Sequence, residues 1–204
     1  MKSHSLKAAA AALLLAGSLQ AQNAVRYESQ PGSKVKIEGT SNIHDWTAES
    51  AAVGGLRELD PAFDADLKTP TTTPKVEITI PVRQLKASWG KPMDNNMHEH
   101  LKQKDNPAIK YRLLTLTAKT GGPSEFDAQG ALTVAGVTRT NMMPITMERI
   151  DKTKIKVKGV TTVKMTDYGI QPPTLSILGI KTGDDVKISF EWATAQPEKA
   201  VEAK

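Results

Sequence analysis

A histidine beside an aspartate is the first feature of this sequence that could do chemistry. The segment KIEGTSNIHDWTAES, residues 36–50, contains His44, Asp45 and Trp46 in a row. A catalytic His–Asp pair needs the carboxylate within hydrogen-bond reach of the imidazole. Neighbours in an extended strand point their side chains to opposite faces, so these two cannot meet easily. His44 and Trp46 share a face, which favours a pocket rim or a packed pair over catalysis.

The direction in which His44 points depends on the parity of the strand before it. Val35 and Ile37 share one face of that strand, and lysines alternate with them. The same count predicts that Ile43 points inward and that His44 points outward. A β-bulge at Gly39 would reverse this register, so both orientations stay open from the sequence.

A second cluster, His98, Glu99 and His100, is a weak candidate for a metal site. On an α-helix, residues two positions apart lie about 200° from each other, so the two imidazoles cannot hold one ion. Zinc pairs on helices use i,i+4 spacing instead. On an extended segment the two would share a face and form a weak site, but the sequence offers no further ligand cluster. A solvated surface is the favoured interpretation.

Other signatures of catalysis are missing from the sequence. It contains no cysteine, which excludes disulfides, thiolate catalysis and a lipid-anchored cysteine. No serine lies in a G-x-S-x-G elbow, and there is no glycine-rich phosphate loop. We therefore expect a binding protein and not an enzyme. The alternative is an enzyme or metal-site protein, built on the same fold, that uses His44 or the pair His98 and His100.

The N-terminal segment, residues 1–21, has the three regions of a secretory signal peptide. Lys2 and Lys7 precede an apolar run at residues 8–16, and small and polar residues follow it. The run is shorter than the roughly 20 residues that a membrane-spanning helix needs. We therefore expect cleavage near Ala21 and a periplasmic or secreted location. We do not expect the protein to be an integral membrane protein.

Apolar and polar side chains alternate along several segments, which predicts β-strands. In KIKVKGVTTVKM, residues 154–165, one parity is shared by Ile155, Val157, Val163 and Met165, and the four lysines share the other. KVEITIPV (75–82) and DVKISFEW (185–192) repeat this pattern. Dispersed lysines and an aromatic content of 4% argue against a nucleic-acid platform. The apolar parity predicts an inward wall that consists of Val35, Ile37, Val76, Ile78, Ile80, Leu132, Val134, Ile155, Val157, Val163, Met165, Ile188, Phe190 and Trp192.

One segment, residues 91–107, breaks the strand pattern and predicts a short helix. It carries a single apolar stripe at i, i+4 and i+8, formed by Met93, Met97 and Leu101. We expect Asp94 or Asn95 to cap its start and Pro107 to stop it. A hairpin is predicted to turn near Gly136.

About eight amphipathic strands and one helix leave two architectures open. A sandwich covers each apolar face with a second sheet, whereas an antiparallel barrel closes one sheet upon itself and removes its edges. A barrel of eight strands has an interior that side chains fill or that holds one small ligand. Parity identifies the inner face of either architecture but does not choose between them.

Four segments in order resemble the YceI-like family of secreted bacterial proteins. The most specific is VKMTDYGIQPPTLSILGIKTGDDVKISFEW, residues 163–192, with the phrase M-T-D-Y-G-I-x-P-P. The others are IEGTSNIHDWTAES (37–50), MDNNMHEHLKQKDNPAIKYR (93–112) and ALTVAGVTRTNMMPI (131–145). The sequence IHDW differs from that of family members in which an apolar residue and a glycine follow the histidine, so no ligand contact is transferred to His44.

This resemblance implies an all-β fold, an eight-stranded antiparallel lipocalin-like barrel with one short helix. The barrel domain would occupy residues 22–204, with a core at about 25–195 and a short polar C-terminal tail. The resemblance also implies a long apolar cavity that takes an isoprenoid chain, as in polyisoprenoid quinones. We therefore expect an isoprenoid or other apolar chain lipid as partner, and no cofactor other than a bound isoprenoid lipid or quinone. The choice between a monomer and a homodimer stays open.

Overall fold

The computed structural model describes residues 24–120, 122, 124–175 and 179–198. The signal-peptide prediction for residues 1–21 therefore lies outside the described residues, as does the end of the predicted polar tail. Among the helices that the structure describes, none is long and apolar enough to cross a membrane.

Strands dominate the described part of the chain. They are β1 (Val25–Ser29), β2 (Lys34–Ser41), β3 (Trp46–Ser50), β4 (Gly54–Leu59), β5 (Lys75–Pro81), β6 (Lys86–Ala87), β7 (Ala108–Ala118), β8 (Glu125–Val134), β9 (Val137–Arg149), β10 (Lys154–Lys164), β11 (Thr174–Leu175) and β12 (Ile180–Ala195). Two α-helices, α1 (Pro61–Asp66) and α2 (Lys91–His100), and 3-10 turns at Val82–Gln84 and Thr166–Tyr168 interrupt them.

Eight of these strands form a closed antiparallel barrel in the order β1-β4-β5-β7-β8-β9-β10-β12. The barrel closes where β12 returns to β1, with Glu28 opposite Ala195 and Ser29 opposite Thr194. Closure leaves these eight strands without a free edge along the pairing, which is one of the two ways in which amphipathic strands can cover their apolar faces. The predicted all-β, eight-stranded antiparallel barrel is confirmed.

On the edge opposite β10, the long strand β12 has two different barrel partners along its length. It pairs with β2 from Thr182 to Glu191 and with β1 only at its last two residues. β3 and β6 extend the sheet outward from β2. We call the end where β1 and β12 pair the floor, and the end with α2 and the β2–β3 turn the mouth.

Strand parity in the structure follows the sequence. On β10, Ile155 and Val157 are buried, while Lys154 and Lys158 are exposed. The hairpin predicted near Gly136 is the connection between β8 and β9. Its two turn residues both have positive φ, 49° at Ala135 and 84° at Gly136. A two-residue hairpin turn of type I′ requires this, because its backbone then matches the right-handed twist of the two strands.

The short helix α1 covers the floor of the barrel, and the sequence analysis missed it. Asp60 caps its start by accepting a hydrogen bond from the backbone N–H of Phe63 at 2.8 Å. Phe63 is fully buried and meets Phe126 edge to face, with ring centroids 5.5 Å apart. The helix has only six residues, too few to show an apolar period in the sequence.

The predicted helix at the mouth exists as α2, but its predicted start and stop were wrong. The residue before its first turn is Gly90, which has no side chain to cap it. Asp94 instead accepts a hydrogen bond from the backbone N–H of Ala87 at 2.7 Å, which ties the helix to β6. Asn95 is exposed and caps nothing. The helix ends at His100, well before Pro107.

Candidate functional site

The barrel encloses a cavity of about 740 Å³ whose wall is mostly apolar. The predicted wall residues that line it are Val35, Ile37, Val76, Ile78, Ile80, Leu132, Val134, Val157, Val163, Met165, Ile188, Phe190 and Trp192. Ile155 does not line the cavity, because it lies at the floor end of β10, opposite Arg149, where the core is filled. That these side chains contact a ligand stays a prediction.

A glycine keeps one large ring flat against the wall. A Cβ atom added to Gly159 on β10 would stand 2.6 Å from the ring of Phe190 on β12. Real side chains do not approach this closely, so only glycine lets the ring of Phe190 lie along the neighbouring strand. Phe190 is half-buried because it packs on the sheet on one side and borders the cavity on the other.

The cavity wall contains one buried cation, Arg57 on β4. Its side chain is 1% exposed, and its guanidinium carbon lies 4.6 Å from the ring centroid of Tyr27 and 5.7 Å from that of Trp192. Nη2 donates to Thr194 Oγ1 at 2.6 Å. Nε and Nη1 have no hydrogen-bond partner among the residues that the structure describes. Burial lowers the pKa of Arg57 to about 10, so the group still carries its charge at neutral pH.

A polar network joins α1 to the strands at the floor. The hydroxyl of Tyr27 donates to Asp64 Oδ1 at 2.7 Å, and Arg149 Nη2 lies 3.0 Å from the same carboxylate. Arg149 also donates to the backbone carbonyl of Asp64, and the side-chain amide of Gln196 donates to the Tyr27 hydroxyl at 3.2 Å. These bonds hold α1 against β1 and β9.

Tyr111 on β7 is a second polar group in the wall. It lines the cavity, and its hydroxyl is buried without a hydrogen-bond partner among the described residues. Burial raises the pKa of Tyr111 to about 12, so the phenol is neutral at physiological pH. It therefore offers a neutral donor and acceptor but no charge.

His44 lies at the mouth of the cavity. Its ring stacks on the exposed ring of Trp89, with centroids 4.6 Å apart. Its Nδ1 lies 3.2 Å from the backbone carbonyl oxygen of Asp45, not from the carboxylate. Trp46 also borders the mouth and donates through its indole N–H to the carbonyl of Thr40 at 3.3 Å. The His44–Asp45 pair is therefore not arranged as a catalytic base and its orienting acid.

Of the two orientations that the sequence left open for His44, the structure shows the one toward the cavity. Ile43 is 58% exposed and His44 borders the cavity, which is the reverse of what the parity count alone gives. The reason is that residues 42–45 form a turn between β2 and β3, so strand alternation does not apply to them. The hydroxyl of Ser41 holds the turn by accepting from the backbone N–H of His44 at 3.1 Å.

The two histidines of α2 point to different neighbours. Nε2 of His98 lies 3.1 Å from the carbonyl oxygen of Leu85, while Nδ1 of His100 lies 2.9 Å from that of Asn96. Only His100 borders the cavity. Within the described ranges, no group of three or more His, Cys, Asp or Glu side chains could hold a metal ion.

Neither Arg57 nor Tyr111 was predicted from the sequence, although one signal for Arg57 was present. Arg57 shares the parity of Leu59 in GGLREL, and both are buried in β4. A charged residue in phase with a core leucine is rare, since arginine is almost never fully buried without a partner. For Tyr111 the sequence gives no comparable signal, because tyrosine is ordinary in strands.

Comparisons with known proteins agree with this geometry. A family model described as a YceI-like domain matches residues 28–194. A search of the curated proteins found no significant match. Among solved structures, BcnA of Burkholderia cenocepacia is 18% identical, covers 79% of this chain and 95% of its own, and gives a TM-score of 0.63. A polyisoprenoid binding domain from Saccharophagus degradans, implicated in plant cell wall breakdown, is 12% identical, and the match covers 85% of this chain and 99% of that domain with a TM-score of 0.65. The YCEI protein of Campylobacter jejuni is 17% identical, and the match covers 74% of this chain and 85% of that protein with a TM-score of 0.58. At these identities the similarity shows the fold.

Proposed function

This chain belongs to the YceI-like family, and from that membership we propose that it is a lipid-binding protein that holds an isoprenoid or similar long apolar chain inside its barrel. The observation that carries the proposal is the cavity of about 740 Å³ with a mostly apolar wall. The structural likeness to a polyisoprenoid binding domain supports it. We further propose that the protein works in the periplasm or outside the cell, after removal of residues 1–21. N-terminal sequencing of the exported protein should then begin near Gln22.

The energetics of such a site favour long chains. Each buried CH₂ group contributes about 0.8 kcal/mol, so affinity should rise with each isoprene unit until the cavity is full. Part of this gain offsets the entropy lost when a flexible chain is held in one place. A series of prenols of increasing length should therefore show a steep rise in affinity that ends at one chain length.

An enzyme or metal site at the histidines is the competing function. His44 and His100 border the cavity, but each ring contacts a neighbouring carbonyl and neither is paired with a carboxylate in the described chain. Imidazoles arranged in this way lack the orienting acid that a general base uses. We therefore propose that the mouth histidines shape the entrance and carry out no reaction.

Thermal unfolding with and without geranylgeraniol tests both functions. At 100 times its dissociation constant, a bound lipid stabilises the native state by about 2.7 kcal/mol. For a chain of this size that raises Tm by about 5–10 °C. Joint replacement of His44, His98 and His100 by Gln should leave this shift nearly intact. If zinc gives the shift and the prenol does not, the metal or enzyme function replaces lipid binding.

A matched pair of variants tests whether the lipid lies inside the barrel. Val163 lines the cavity near the mouth, while Thr162, the next residue on β10, is exposed on the outer face. Val163→Trp should fill part of the cavity and abolish the prenol-induced rise in Tm. Thr162→Trp should keep it. Equal shifts in the two variants would show that the prenol binds elsewhere. Mass spectrometry of lipid that co-purifies from the native host would then identify the physiological ligand.

A further inference from the structure

The two arginines at the floor of the barrel differ in their partners. Arg149 forms an ion pair with the carboxylate of Asp64 at 3.0 Å. A further carboxylate at this end, Asp60, caps α1 by accepting from the backbone N–H of Phe63. Arg57, the buried arginine, has no ion-pair partner in the described part of the chain. The floor therefore places one unpaired guanidinium next to an apolar cavity.

The guanidinium of Arg57 is also short of hydrogen bonds. One of its three nitrogens donates to Thr194, and the other two are buried with no partner among the described residues. Buried polar groups without partners are rare in native structures, and those that occur often mark a ligand site. The rings of Tyr27 and Trp192 shield the group from water, so its charge is weakly screened toward the cavity.

The other cation of the cavity wall does not compete with Arg57. Lys164 borders the mouth, but its ammonium lies 3.0 Å from the carboxylate of Asp185, which balances its charge. Tyr111, whose hydroxyl also lacks a partner among the described residues, is neutral. An anion inside the barrel would therefore be drawn to the floor and not to the mouth.

We propose that the ligand is a long-chain lipid with an acidic terminus, a carboxylate on an isoprenoid or similar chain, which enters acid end first and lies beside Arg57. This inference rests on the proposed lipid-binding function and names the chemical class of the lipid. The apolar chain then extends along the wall toward the mouth. A carboxylate supplies an acceptor for one of the two unpartnered nitrogens, Nη1 or Nε, which face different sides of the guanidinium, after a local adjustment of the side chains that cover them.

The direct test compares geranylgeranoic acid with geranylgeraniol, which share one chain and differ at the terminus. The wild-type protein should bind the acid at least about tenfold more tightly at neutral pH, because a weakly screened cation attracts only the charged ligand. Arg57→Met should reduce this acid-to-alcohol ratio to about one. Lys158→Met, which removes one positive charge from the outer face of β10, should leave the ratio unchanged.

The tryptophans provide a second test that needs no change at Arg57. The chain has three: Trp192 contacts Arg57 at the floor, and Trp46 and Trp89 border the mouth. In a Trp46→Phe, Trp89→Phe background Trp192 is the only tryptophan left, and excitation at the red edge of the tryptophan band avoids the three tyrosines. A chain brominated next to the carboxylate should quench Trp192 more strongly than one brominated at the far end.

The outcomes separate this inference from the function on which it rests. Equal affinity for acid and alcohol, or stronger quenching of Trp192 by the tail bromine, would overturn the acid-first orientation while leaving lipid binding in place. Binding of neither lipid would overturn both. If Arg57→Met does not fold, the wild-type affinity ratio and the quenching order still decide the question.

Discussion

Truncation of two phenylalanines distinguishes a hollow barrel from a filled one. Phe126 is fully buried at the floor and packs edge to face on Phe63. Its replacement by Ala leaves a new void, at a cost of about 3–5 kcal/mol. Phe190 borders the cavity and is already half-buried, so its truncation only enlarges a void that exists. Because its truncation removes only part of the transfer free energy of a fully buried ring, Phe190→Ala should cost roughly 1–2 kcal/mol.

These costs translate into measurable differences in stability. At about 2–4 °C per kcal/mol for a chain of this size, Phe126→Ala should lower Tm by about 6–20 °C and Phe190→Ala by about 2–8 °C. Thermal unfolding of delipidated protein, followed by far-UV circular dichroism, measures both shifts in Tm, and urea unfolding measures the corresponding free-energy losses as shifts in the midpoint at constant slope. Equal losses for the two variants would contradict the hollow barrel, because they would mean that Phe190 is packed on all sides.

Two further predictions concern the strands and the mouth. Gly55→Ala should destabilise the barrel by at least roughly 1–3 kcal/mol, because the φ of Gly55 is 151° and a Cβ atom there would overlap the carbonyl oxygen of Glu77. Gly54→Ala is the control, since its Cβ atom would lie 3.6 Å from the carbonyl oxygen of Thr79, and it should be nearly neutral. Urea unfolding measures both variants. The hydrogen bond from the backbone N–H of Ala87 lowers the pKa of Asp94, so this carboxylate stabilises the fold above its ordinary pKa and the stabilisation is lost as the pH falls through the lowered value. The difference in Tm between wild type and Asp94→Asn should accordingly be largest near pH 7 and shrink toward pH 3, and a difference that does not change with pH would refute this role.

Alternation in the sequence predicted the strands and their inward faces well, because period-two alternation is a property of each strand by itself, whereas the choice of a barrel over a sandwich came from the family resemblance. Residues such as Val157 and Ile188 share an inward face whichever strands lie beside them, so their placement needs no tertiary information. Alternation failed at residues 42–45, where Ser41 closes a turn and the register no longer continues. The count from Val35 through Ile43 assumed one unbroken strand.

The candidate site was harder to predict because its polar members depend on contacts between distant strands. Arg57 is buried only because Tyr27 and Trp192 cover it and Thr194 accepts its hydrogen bond. Asp94, which looks like a helix cap in the sequence, binds the backbone of Ala87 on β6 instead. Such pairings are fixed by the closed barrel and leave no local pattern.

The double partnership of β12 has a consequence for how the chain folds. Barrel closure joins β1 to the end of β12, and the indole N–H of Trp192 donates to Ser29 across a sequence separation of 163 residues. The hairpins from β7 to β10 have short loops and can form first, whereas closure must wait until both ends of the chain are available. Until β1 and β2 pair with it, β12 presents an open sheet edge, so we expect variants that slow barrel closure to aggregate more readily during folding.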